Sequence, residues 1–244
     1  MMFWKKKKQL TLRCVTQMEK LADLIPIERL NKQVPDWWKK LPSRPDNTGL
    51  VLPPNIKPGP RSLELTAKHC YALQELWSRA VALPLWYDAI VTVTPDGQAV
   101  GFAPAGQKAG EQHPTRQYTG ALNKNWAHYK FKCPWLLYTE EFVPWTMNHP
   151  FYHYNDPGIW QAMPGITEYK YQHHANVNAV FAVKPEPTEY EFHAGDIINY
   201  LIPMADIDVK VVCEQVTREE YERLQYSTKL SFHHHKFCKA HDVS

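Results

Sequence analysis

Apolar and polar residues alternate through Leu10-Thr-Leu-Arg-Cys-Val-Thr16, a run rich in β-formers, which predicts a strand. Short helical turns are expected at Met18–Leu24, where Pro26 ends the run, and at Glu28–Gln33. Asp36 is placed to cap a single turn that carries Trp37 or Trp38 inward. The period lengthens over Tyr71, Leu73, Leu76, Trp77 and Ala80, which predicts an amphipathic helix with Thr66 as its N-cap and Pro84 as its end. From Leu85 to Val93 the period returns to two. Trp86, Asp88, Ile90 and Thr92 face one way; Leu85, Tyr87, Ala89, Val91 and Val93 face the other. Pro95-Asp96-Gly97 reads as a turn, and Gln98–Phe102 pairs back across it as a hairpin. Gly101–Gly110 reads as a loop.

Beyond residue 116 strand patterns dominate. They fall at Tyr129–Cys133, Trp135–Thr139, Phe142–Met147, Ile159–Met163, Asn176–Val183, Glu189–His193, Ile197–Pro203 and Asp208–Cys213. Turns rich in Asn, Pro and Gly separate them. Thr217-Arg-Glu-Glu220 matches a capping box and opens a helix to Tyr226. Short strands without long intervening helices predict a mainly β chain. The expected architecture is an antiparallel β-sandwich, jelly-roll-like, with an N-terminal helical and Pro-rich cap and a short C-terminal helix. Three regions follow: an N-terminal strand and Pro-rich arm over 1–61, a β body with its helix over 62–228, and a His- and Lys-rich tail over 229–244.

Composition narrows the function classes. The 20 Pro against 10 Gly suggest rigid turns and strand edges, with Ser43–Arg61 as an extended arm suited to docking. A net charge of +3 is too small to indicate nucleic acid as a partner, despite the local run Lys5–Lys8. No apolar stretch approaches a membrane-spanning length, so no membrane partner is expected. The five Cys are widely spaced, without a Cys-x-x-Cys pair, and read as reduced thiols of a cytosol-like compartment.

Candidate chemistry is sparse. There is no Gly-x-Ser-x-Gly elbow, P-loop or Gly-x-Gly-x-x-Gly. The facial triad of an Fe(II) oxygenase leaves His-x-Asp or His-x-Glu in sequence, and neither occurs. The nearest substitutes are His153 with Asp156 and His193 with Asp196; the adjacent pair His173-His174 points to opposite faces of a regular strand. Cys70, at a helix start, is the thiol most suited to alkylation. No catalytic residue, metal ligand or cofactor is therefore assigned. Aromatics crowd into turn-rich sequence, so Trp145, Tyr152, Tyr154 and Trp160 are candidate ligand-binding residues. Asp88 joins them, because neither burial nor capping accounts for it.

One resemblance rests on motifs in order along the chain: Met-Phe-Trp-Lys-Lys-Lys-Lys8, Val34-Pro-Asp-Trp-Trp-Lys-Lys-Leu-Pro42, Lys68-His-Cys70 with the helix that follows, Leu83-Pro-Leu-Trp-Tyr-Asp88, Lys132-Cys-Pro-Trp-Leu-Leu137, and Phe192-His-Ala-Gly-Asp-Ile-Ile-Asn-Tyr-Leu-Ile-Pro203. In these the chain resembles a family of uncharacterised proteins, a domain of unknown function, from tailed phages of marine bacteria and cyanobacteria. Gly195-Asp196-Ile197 departs from that family's pattern, which carries Pro at the third position. The resemblance implies origin in a phage genome and no particular reaction. The expected function is a phage-encoded structural or accessory protein acting through protein–protein contacts, as a homo-oligomer or with virion components, in the host cytoplasm or the virion. The alternatives are a jelly-roll Fe(II)-dependent oxygenase and a carbohydrate-binding module.

Overall fold

The structure is a computed structural model that describes residues 8–43, 66–104, 109–114, 125–154, 160–170 and 174–226. The Pro-rich arm beyond Ser43 and the tail lie outside the described residues, as do Asp156 and His173.

Among the described residues fifteen strands run in chain order. They are β1 (Gln9–Thr16), β2 (Glu28–Arg29), β3 (Val81–Pro84), β4 (Ala89–Val93), β5 (Ala99–Phe102), β6 (Gly110–His113), β7 (Trp126–Phe131) and β8 (Leu136–Tyr138). β9 (Pro144–Asn148), β10 (Trp160–Ala162), β11 (Gly165–Glu168), β12 (Val177–Ala182), β13 (Thr188–Phe192), β14 (Ile197–Pro203) and β15 (Asp208–Gln215) complete the set. Helices α1 (Leu21–Leu24), α2 (Asp36–Lys40) and α3 (Tyr71–Arg79) precede the body, and α4 spans 218–226.

The strands form four sheets, ordered β15-β1-β8, β10-β12-β7-β6, β11-β9-β14-β3-β2 and β13-β4-β5. Pairing is antiparallel with one exception: β1 and β15 run parallel through eight register pairs. The chain is mainly β, as the sequence predicts, but these strand orders show no jelly roll. β1, grouped by sequence with the N-terminal arm, is the central strand of its sheet.

All four sheets contribute to one apolar core. Leu10 and Leu12 from β1, Phe131 from β7, Trp145 from β9, Leu201 from β14 and Val91 from β4 are fully buried in it. Burying a side chain of this size is worth about 1.5–3 kcal/mol, so the core dominates stability. β14 is buried on both faces. Ile198 and Leu201 point into the main core, while Ile197 and Tyr200 meet a second cluster with Trp38, Trp77, Leu30 and Ala82. α2 and α3 supply the two Trp of that cluster, with ring centroids 5.4 Å apart.

Several local expectations need correction. Asp36 is the first residue of α2 and pairs with Lys39; Pro35 holds the cap position. Thr66 caps the 3₁₀ turn Ala67–His69, and Cys70 stands at the N-cap of α3. α3 ends at Arg79, and Pro84 closes β3 instead, at a sheet position that needs no further N–H. The expected strand Leu85–Val93 begins only at Ala89, because a turn intervenes that buries both Leu85 and Trp86. Thr217 does cap α4: its hydroxyl accepts from the Glu220 N–H at 3.2 Å.

Candidate functional site

The sheet β13-β4-β5 turns one face to the core and one to solvent. Alternation along β4 buries Ala89, Val91 and Val93 and leaves Ile90 outward. The register places Glu191, Ile90 and Phe102 side by side across three strands, and Glu189, Thr92 and Val100 beside them. Ile90, Val100 and Phe102 are respectively 41%, 37% and 47% exposed. Two acids flank three apolar side chains on this face.

At the β13 end of that face lies a cleft of about 390 Å³ lined by Asp88, Ile90, Phe102, Pro104, Glu191 and His193. The backbone around it is rigidly tied. Asp88 Oδ1 accepts from the Ala194 N–H at 2.8 Å, and Asp196 Oδ2 accepts from the His193 N–H at 2.7 Å. Gly195 (φ +95°) makes the left-handed turn between β13 and β14 that a side chain would resist. Its N–H donates to Leu85 O, and the Leu85 N–H donates to Asp196 O, both at 2.8 Å. Asp88 therefore has a structural role after all, as the acceptor that holds this turn. Its Oδ1 lies 3.9 Å from His193 Nδ1, with both side chains open to water. Among the described residues the lining carries no Ser, Thr or Cys as a nucleophile. Its chemistry suits binding: an apolar floor beside carboxylates that favour a cation or an N–H donor.

The other four sequence candidates serve packing. Trp145 is fully buried against Tyr169, centroids 5.7 Å apart. Tyr152 sits in the second cluster, 5.7 Å from Trp77 and 6.1 Å from Trp37, whose indole N–H donates to Tyr152 O at 2.9 Å. Tyr154 donates its hydroxyl to Ile197 O at 2.9 Å, and burial pushes its pKa up. Trp160 is 4% exposed, edge-on to Tyr154 and His149, and 5.3 Å from Phe192. Phe192 also borders the cleft, so Trp160 supports the cleft from beneath without reaching it. Of the five candidates only Tyr154 and Trp160 meet, with ring centroids 5.1 Å apart; Trp145, Tyr152 and Asp88 have other neighbours. Ile90 and Phe102 were not singled out in the sequence, although the alternation already puts Ile90 on the Asp88 face.

The histidines weighed as iron ligands are engaged in different places. His153 lies between Gln33 O (2.6 Å from Nε2) and the Tyr200 hydroxyl (2.5 Å from Nδ1). A carbonyl can only accept, so Nε2 carries the proton and Nδ1 accepts from Tyr200. His174 contacts Gln225 at 3.2 Å, and His193 faces Asp88. Among the described residues no group of three His, Cys, Asp or Glu is placed to hold a metal. A second, polar cleft of about 540 Å³ lies between α4 and the β7–β8 connection, lined in part by Lys132, Cys133, His174 and Arg218. Burial pushes the Cys133 thiol there up to about 12, too high for a nucleophile at neutral pH. No helix among the described residues is long and apolar enough to cross a membrane. Searches of protein-family models, curated proteins and solved structures find no match to this chain.

Proposed function

We propose that this chain is a phage-encoded structural or accessory protein that acts through protein–protein contacts made by the outer face of the sheet β13-β4-β5. The observation that carries this reading is the row Glu191–Ile90–Phe102 beside an acid-rimmed cleft on a firmly tied frame. Interfaces of this kind bury a few apolar anchors within a polar rim. The acids Asp88, Glu189 and Glu191 select a partner that offers an apolar side chain next to Lys or Arg. A sandwich arrangement of the sheets belongs to the same proposal; the single core shared by all four sheets supports it.

Carbodiimide cross-linking in phage-infected cells tests the contact. This reagent joins carboxylates to lysines in direct contact. Links from Glu189, Glu191 or Asp88 to a lysine of another protein chain are expected, and Phe102→Lys should abolish them. Absence of such links while the protein is abundant, or links that persist in the variant, would contradict the proposal.

A further inference from the structure

Cys14 and Cys213 stand directly opposite each other in the parallel register of β1 and β15. Side chains of paired residues on neighbouring strands leave the same face. Their strands are separated by about 5 Å, within the Cα span that a disulfide bridges. Cys213 Sγ donates to Ile27 O at 3.3 Å, and both thiols are free. They differ in access. Cys14 is fully buried, whereas Cys213 is half-buried and lines a cleft of about 380 Å³ with Pro26, Ile27, Arg29, Lys32 and Lys210. Their acidities differ in the same sense. Burial pushes the Cys14 thiol well up, while the interaction with Cys14 draws the Cys213 thiol down.

We propose that Cys14 and Cys213 form a two-thiol oxidation site, with Cys213 as the attacking sulfur, Cys14 as the resolving sulfur and a hydroperoxide as the oxidant. The Cys213 thiolate attacks one peroxide oxygen and breaks the O–O bond. This gives Cys213 sulfenic acid and an alkoxide or hydroxide, which takes up a proton to leave as alcohol or water. The Cys14 sulfur then displaces the sulfenic hydroxyl, which takes the Cys14 proton and leaves as water, and the S–S bond forms. Two thiols lose two electrons and the peroxide gains them. The disulfide fastens β15 to the central strand of its sheet and closes a loop that contains most of the chain.

The test treats the intact protein with hydrogen peroxide under native conditions, alkylates the remaining thiols and maps digested peptides without reduction. A cross-linked peptide pair containing Cys14 and Cys213 is expected. The unfolding midpoint should rise on oxidation and return with dithiothreitol. In Cys14→Ala, Cys213 should stop at the sulfenic acid and be trapped by dimedone. If Cys14 and Cys213 both remain alkylatable when exposed Cys70 is oxidised, the proposal fails. It fails equally if Cys133, which lies near Cys14, takes the place of either partner. The peptide map of the unmodified sequence decides the matter even if Cys14→Ala does not fold.

Discussion

Asp88 is exposed, yet one of its oxygens is committed to the Ala194 N–H, so its carboxylate is aimed as well as accessible. Asp88→Ala should cost about 1 kcal/mol in urea denaturation, the value of one such bond, and Asp88→Asn less, because the amide oxygen can still accept. Ile90→Lys and Phe102→Lys should each change stability by no more than about 0.5 kcal/mol, since these positions face solvent. A larger loss would mean that the two side chains hold the sheet together and are not reserved for a partner. The interior histidines give a pH dependence of definite sign. Burial lowers both His128 and His149 from 6.5 to about 4, with His113 adding to the effect at His128. Between those values the unfolded chain binds more protons than the folded one, so stability falls as pH drops from about 6.5 towards 4. The slope approaches about 1.4 kcal/mol per pH unit for each histidine, less at His149, which water partly reaches. Denaturation midpoints across this range should flatten in a His128→Gln, His149→Gln double variant. Parallel profiles for the two proteins would contradict the assignment.

At the scale of elements, the strands whose alternation is clean were legible in the sequence. β1, β5, β12 and β14 fall where the sequence pattern and its flanking turns place them, and β4 does so from Ala89 onward. β6 and β11 were not legible. Gly110–His113 contains no apolar β-former, and its strand state comes from antiparallel pairing with β7. β11 starts at Gly165, which reads as a turn until β9 is seen to pair with it. Glycine has a packing role around β6. A Cβ on Gly110 would collide with the Lys130 carbonyl, and one on Gly101 with the Tyr129 hydroxyl. Gly110→Ala should therefore cost about 1–3 kcal/mol and Gly101→Ala a comparable amount, measured by thermal or urea unfolding. The parallel β1–β15 pair was hidden for a different reason, since local pattern carries no information on which distant strands meet. Arginines reinforce that sheet: Arg13 bonds Tyr138 of β8 and, at 2.6 Å, Glu214 of β15. Arg29 bonds Asp208 at 2.7 Å and Ser78 O at 2.6 Å, fixing β2 to β15 and to the end of α3.

For the whole molecule, the first and last long strands of the body lie side by side, so the fold closes only when both ends of the described chain are present. Removal of β15 should prevent folding, because Val209 leaves the core and β1 loses its partner along its full length. The candidate site was only partly legible for a related reason. Aromatic residues were conspicuous in the sequence, but large rings are mostly recruited to fill interiors. Trp145 and Trp160 do so here, while the exposed apolar residues of the site, Ile90 and Phe102, are ordinary strand residues whose exposure depends on which face the core occupies. The proposed protein contact is made by that face. Its most direct test is selection of a displayed random peptide library on the folded protein, followed by titration of enriched peptides. Peptides with a large apolar residue beside Lys or Arg should be enriched, and their affinity should fall about tenfold or more in Phe102→Lys, which corresponds to about 1.4 kcal/mol. No enrichment, or equal binding to the wild-type protein and the variant, would contradict the assignment of this face as a protein-binding surface.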